Sequence, residues 1–330
     1  MSRILRSALA ALAACTMALP QLSAQSADHH QLSDAWWTGP MLANSAATLP
    51  RGHVLVEPYL YDVETRETFD EAGARRSTAP SHGLGSLTYI IYGLTDRLAL
   101  GAVPTFGYTV APHGANSSRI GVGDVSTLLQ YGLTRFRGES STPATAIAVE
   151  ETFPTGKYDR LGDRMSDGFG SGAYATTLSF YSQDYFWLPT GRLLRMRFDA
   201  SQTISARATV QDASVYGTES GFRGLAKPGA SSFLDLSSEY SVSRSWVLAL
   251  DVTYRHGANT SVSGYDVLAA SGAPRAIELR SGASDAVGLA PAVEYSWSSR
   301  AGVLLGARII AAGRNTAASI TPAVGVNLVH

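Results

Sequence analysis

The stretch "SWVLALDVTYRHG" (245–257) alternates two sets of side chains. Trp246, Leu248, Leu250, Val252 and Tyr254 form one set, and Val247, Ala249, Asp251, Thr253 and Arg255 form the other. A period of two is the mark of a β-strand whose faces meet different surroundings. The pattern recurs along the chain. In 98–108, Leu98, Leu100, Ala102, Phe106 and Tyr108 oppose Ala99, Gly101, Thr105 and Gly107. In 192–203, Leu194, Met196 and Phe198 oppose Arg195, Arg197 and Asp199; in 231–242, Leu234, Leu236, Tyr240 and Val242 oppose Asp235, Ser237, Glu239 and Ser241. In 284–297, Val287, Leu289, Val293, Tyr295 and Trp297 oppose Gly288, Ala290, Ala292, Glu294 and Ser296. A soluble sandwich would turn the apolar faces into a shared interior. Here the second face is glycine, alanine and charge, as in a wet barrel lumen, and the first is apolar enough to meet lipid.

The connections support the same reading. Strand-like segments fall at about 53–63, 84–94, 98–109, 120–133, 143–154, 172–187, 192–205, 231–242, 246–256, 284–297, 301–313 and 316–330. Short links ("TDR" 95–97, "PTGR" 189–192, "SRS" 243–245, "SSR" 298–300) alternate with long ones at 64–83, 110–119, 155–171, 206–230 and 257–283. Outer-membrane barrels have short periplasmic turns and long extracellular loops, and an even strand number returns both termini to the periplasm. The expected fold is all-β: a single antiparallel transmembrane barrel of about 12 strands over 51–330.

Composition narrows the alternatives. Charged residues are 16% of the 330-residue chain, against about 25% in soluble proteins. A net charge of −1 gives no electrostatic pull toward nucleic acid. No segment reaches the ~20 apolar residues of a membrane helix; the best, "AGVLLGARIIAAG" (301–313), carries Arg308. Residues 1–24 read as a Sec-type signal, with Arg3 and Arg6 before an apolar run and cleavage after Ala24. "LAAC" ending at Cys15 leaves lipidation of that cysteine open. Residues 25–50 then form an N-terminal segment, periplasmic or lumenal.

Aromatic residues fall where interfacial girdles belong. Tyr131, Tyr240, Trp246, Tyr295 and Trp297 lie beside short turns, and Phe106, Tyr108, Phe153 and Tyr254 nearer long loops. Pro58, Pro104, Pro291 and Pro322 sit inside strand segments, where a missing N–H breaks the ladder, so bulges or rim positions are expected. The last strand resembles a barrel-assembly signal, with His330 where such signals usually carry Phe.

These segments together resemble an outer-membrane transporter family named for the meta-pathway of phenol degradation. The resemblance rests on "WWTGP" (36–40), "LPRGHVLVEPYL" (49–60), "YGLTDRLALGAVPTFGY" (92–108), "GVGDVSTLLQYGL" (121–133) and "FPTGKYD" (153–159). It implies a barrel in the outer membrane of a Gram-negative bacterium that admits aromatic or other small organic compounds. It supplies no catalytic site.

The residues themselves offer little catalytic chemistry. Seven histidines include the adjacent His29 and His30 and the scattered His53, His82, His113 and His256. None has the ligand spacing of a metal motif. Asp159, Asp163 and Asp167 are spaced by four, not at the alternate positions of a calcium loop. His256, at a strand top with Asp266 in the next loop, is the one position for a rim hydrolase. Lumen charges are the stronger candidates: Arg195, Arg197, Asp199, Asp235, Glu239, Asp251, Arg255, Glu294 and Arg308, with Asp124 and Glu150 as further acidic positions, either tuning passage or forming an internal ion-pair network. The expectation is passive uptake of a small organic solute without cofactor or metal, its partners being outer-membrane lipids, the solute and the barrel-assembly machinery. A barrel hydrolase acting at the rim and a structural or adhesion barrel are the alternatives.

Overall fold

The computed structural model describes residues 31–137, 142–267 and 273–330. The expected signal (residues 1–24), Cys15, His29 and His30 lie outside the described residues. Residues 32–330 form one compact unit.

The strands follow the alternation. β1 (Val54–Phe69) and β2 (Arg75–Thr95) form a long hairpin. β3 (Leu98–Val103) and β4 (Thr105–Val110) make one stave interrupted at Pro104; β5 (Gly121–Val122) and β6 (Val125–Thr134) make the next. β7 (Ala144–Phe153), β8 (Ala175–Trp187) and β9 (Leu193–Ser205) continue the wall. After the short β10 (Ala208–Gln211) and β11 (Phe222–Lys227) come β12 (Ser231–Ser241) and β13 (Trp246–Gly257). After β14 (Ser261–Asp266) and β15 (Arg275–Arg280), β16 (Ser284–Ser298), β17 (Ala301–Arg314) and β18 (Thr316–Val329) complete it. β1 pairs antiparallel with both β2 and β18, so the sheet closes into a barrel of twelve staves. Reciprocal bonds between Val54 and His330, each 2.9 Å, finish the seam.

The apolar set of most strands faces outward, while β1 and β2 also turn Tyr59, Tyr61, Leu87 and Tyr89 inward. Leu60, Leu178, Leu248 and Leu305 are all half exposed or more, which in water would be an aggregation liability and in lipid is a belt. Trp246, Tyr295 and Trp297 pack in a row beside the short turns, ring centroids 4.7 and 6.4 Å apart. The opposite set faces in.

Three sequence expectations need correction. The segment 64–83 is not a loop: β1 and β2 extend to a tight turn at 70–74, where Asp70 accepts the amides of Ala72 (3.0 Å) and Ala74 (2.8 Å). Segments 206–230 and 257–283 contain β10, β11, β14 and β15, a separate four-stranded sheet. Its strands are four to six residues long, too short to stand out by periodicity, and its core is Val210, Phe222, Ala226 and Val262 under Tyr158 and Tyr216. Of the four prolines only Pro104 lies at a bulge: the register slips by one residue between Val103↔Ser126 and Phe106↔Val122. Pro104 splits a stave, and Pro58 and Pro322 lie in mid-strand gaps: the β1–β18 ladder jumps from Val56↔Leu328 to Tyr59↔Gly325, and from Tyr61↔Ala323 to Glu64↔Ile320. Pro291 lies in a similar gap, between Leu289↔Ile309 and Ala292↔Gly306. Each proline spends its missing donor on one side and keeps its pairing on the other.

At the long-loop end, segment 155–171 folds back onto the wall. Asp124 accepts the amides of Gly156 (3.0 Å) and Ser171 (2.8 Å), so this carboxylate ties a loop. Phe169 lies against Gly107 and Gly121, where any Cβ would come within 2.6 and 2.1 Å of its ring.

Candidate functional site

Residues 36–50 have no strand pairing, so their backbone N–H groups need other acceptors. Inward carboxylates supply them. The segment enters at the short-turn end, where the Trp36 amide bonds Arg244 O (2.7 Å) and its ring lies under the Arg244 guanidinium (4.6 Å). Thr38 and Gly39 then donate their amides to Glu294 Oε2, at 2.7 and 3.0 Å. Met41 and Ala43 donate theirs to Asp251, at 3.1 and 3.2 Å. Asn44 donates both its amide (2.7 Å) and its side-chain nitrogen (3.2 Å) to Asp199 Oδ2. Gln130 Nε2 donates to Ser45 O at 2.8 Å, and the chain leaves at the same end, with Arg51 N on Asp96 Oδ1 at 3.1 Å. Gly39 has φ of +115°, a conformation other residues rarely adopt. It lets two successive amides converge on one carboxylate.

The cations complete this arrangement. Glu239 pairs with Arg195, and Arg197 Nε stands 3.2 Å from the same carboxylate without aligning its N–H. Arg197 donates to Ala43 O at 2.8 Å, and Arg195 lies 4.4 Å over the Trp37 ring. Hydrogen bonds to charged groups contribute about 1.5–3 kcal/mol each, so five main-chain amides on three carboxylates hold the segment firmly. Because the contacts run through its main chain, they leave most of its side chains free to vary.

The candidate residues therefore divide. Arg195, Arg197, Asp199, Glu239, Asp251 and Glu294 come together beneath the segment. Glu239, Asp251 and Glu294 are 0% exposed, which corrects the expectation of a wet lumen at this level. Asp235 is also enclosed, but neither of its carboxylate oxygens has a hydrogen-bond partner among the described residues. Arg255 lies 4.8 Å over the Phe233 ring. Arg308 stands nearer the long-loop end, its Nε unpartnered.

The sequence leaves residues 25–50 periplasmic or lumenal, and the structure places 36–50 inside the barrel. "WWTGP" drew notice only as a resemblance motif. Two tryptophans in a stretch without strand alternation were the available signal, since such rings need a surface to cover.

His256 has a different partner from the one expected. Its Nδ1 lies 2.8 Å from Asp285, which also accepts Tyr254 Oη (2.8 Å) and Arg314 (2.7 Å). Asp266 sits instead 3.8 Å from Arg275. Ser232 is paired with His256 across the strands but hands its hydroxyl proton to Gln202 (2.6 Å). This is a polar row at the rim with no aligned nucleophile. Among the described residues no group of three or more His, Cys, Asp or Glu side chains is placed to hold a metal ion.

Three spaces flank the segment. One of 380 Å³ lies on its long-loop side, one of 230 Å³ runs beside it, and one of 410 Å³ opens at the short-turn mouth. The first two share Met41, Leu42, Tyr59 and Tyr89, and the last two share Ala47. A narrow track thus skirts the segment, along β1 and β2 for the first two spaces and beside β6, β7 and β8 at the mouth.

No protein-family model matches this chain, and no curated protein matches it. Among solved structures it is similar to the COG4313 outer membrane channel from Pseudomonas putida F1, at TM-score 0.64 and 16% identity over 88% of this chain and 100% of that one. The β domain of the Bordetella autotransporter Brka (TM-score 0.44, 9% identity, 84% and 99% covered) and the Ralstonia pickettii toluene transporter TbuX (0.33, 10%, 85% and 90%) are more distant. The first likeness establishes the fold: this is a twelve-stranded barrel of the outer-membrane type.

Proposed function

We propose that this chain is an outer-membrane channel for passive uptake of small organic solutes, aromatic and hydrophobic compounds among them. The short turns then face the periplasm and the long loops the exterior. The observation that carries this reading is the track past residues 36–50. Above the segment its walls are tyrosine, leucine and methionine rather than rings of charge; beside the segment Glu57, Arg195 and Arg197 join the lining, and the two arginines are spent on Glu239, the Trp37 ring and Ala43 O. An open aqueous pore would expose those charges. The likeness to an outer membrane channel supports the reading, as does the sequence resemblance to the phenol meta-pathway family, whose membership is part of the proposal. Purified barrel in liposomes tests it. Single-ring aromatic acids should enter faster than into protein-free liposomes, and disaccharides should not. Equal rates for both classes would indicate a general pore, and no flux of either would refute a channel.

A further inference from the structure

The reading as a channel leaves the inward charge of Arg308 unexplained. Arg195 and Arg197 are committed to Glu239 and to the N-terminal segment. Arg308 has no ion pair or hydrogen bond among the described residues, and its Nε is buried. It lines the 380 Å³ cavity above the segment, together with Tyr59, Tyr61 and Tyr89, the Ser319 and Thr321 positions, and a floor of Met41 and Leu42. A guanidinium nitrogen withdrawn from water without a hydrogen-bond partner is costly. Asp235, the carboxylate whose charge acts on it, is not within ion-pair distance and is itself unpartnered. Arg255, which also lacks an ion pair, adds positive charge nearby.

On the strength of the channel reading, we propose that this cavity is a binding subsite for one single-ring aromatic anion, a carboxylate or sulfonate. The acid group sits on the Arg308 guanidinium, and the ring lies against the tyrosines. A planar guanidinium offers paired N–H donors that match two acid oxygens. Aromatic walls favour an offset or edge-on ring. The cavity lies at the small end of the ~300–1,000 Å³ range of ligand pockets, which suits one ring. Opening toward the long loops, it would be loaded from the exterior, with the N-terminal segment as its floor.

Binding of benzenesulfonate, charged at every working pH, to the purified barrel in detergent tests this against neutral benzenesulfonamide. The sulfonate should bind more tightly. Arg308→Gln should weaken it about 10-fold or more, the effect of losing one charge-assisted pair, and leave the sulfonamide unchanged. Should that variant not fold, Arg308→Lys keeps the charge without the fork and should still weaken the sulfonate. Equal affinity of the two probes for the native protein, or sulfonate binding unaffected in a folded Arg308 variant, overturns the subsite. Uptake of neutral aromatics by Arg308→Gln separates the two claims. Normal uptake alongside lost sulfonate binding supports both, whereas sulfonate binding by a native barrel that passes no solute at all would retain the subsite and sink the channel.

Discussion

Asp251→Asn tests whether the carboxylates hold the N-terminal segment. The native side chain accepts the Met41 amide with one oxygen and the Ala43 amide with the other. Asparagine keeps the shape but offers one acceptor and no charge. One hydrogen bond to an anion is lost and the other falls to a neutral bond, together about 2–4 kcal/mol. At ~1.4 kcal/mol per factor of ten, the ratio of released to bound segment should rise roughly 30- to 700-fold. Single-channel recording in planar bilayers reads this as more frequent or longer openings. Asp235→Asn is the control. It removes the same charge from the facing strand, but its oxygens accept no bond from the segment, so openings should stay rare. Heat-modifiable gel mobility confirms that both variants are folded. Native-like openings in a folded Asp251→Asn, or equal openings in both variants, would refute the anchoring argument.

Further outcomes follow from the same structure. Leu250→Arg, on the lipid face and 40% exposed, should impair insertion, since a cation near mid-bilayer costs about 2–4 kcal/mol; insertion at the native level would mean the face is wrongly assigned. Thr253→Arg should be damaging as well, for lack of room: Thr253 is 2% exposed and its hydroxyl crowds Gly288. The only cysteine is Cys15, so single introduced cysteines report topology. An impermeant maleimide on intact cells should label Glu219→Cys and spare Ser299→Cys, and the reverse would invert the barrel. Asp70 accepts two turn amides and the Arg76 side chain, and the Ala74 amide above all holds its carboxyl below the ordinary 3.8. Its depressed value means that the turn's contribution is present above that pH and lost only as pH falls further below it. Hydrogen exchange at Ala72 and Ala74 should therefore stay protected at pH 4, and loss of protection already at pH 5 would contradict this. His256→Ala should leave any ester-hydrolysis background of the purified barrel unchanged, because Ser232 gives its proton to Gln202 rather than to His256.

The wall was legible in the sequence because each strand meets lipid on one side, and lipid enforces a strict period of two. Trp246 to Tyr254 show this, as do Leu234 to Val242. What lay inside was less legible. Alternation tells that Asp251 and Glu294 point inward, but not whether they meet water or a chain. Their partners are main-chain amides of residues 38–43, and such contacts leave almost no mark on residue choice beyond Gly39. The four-stranded sheet of β10, β11, β14 and β15 was hidden because its strands are too short to show a period. The long β1–β2 hairpin was hidden because charges and small polar residues between Glu64 and Ser81 read as loop.

On the proposed function, the barrel passes small organic solutes along the flank of residues 36–50 and not water-soluble solutes in general. The most direct measurement is outer-membrane uptake of a neutral single-ring aromatic and of a disaccharide, in cells that carry the barrel and in cells that lack it. The barrel should accelerate entry of the aromatic and leave the disaccharide unchanged. Equal acceleration of both, or of neither, would contradict this expectation.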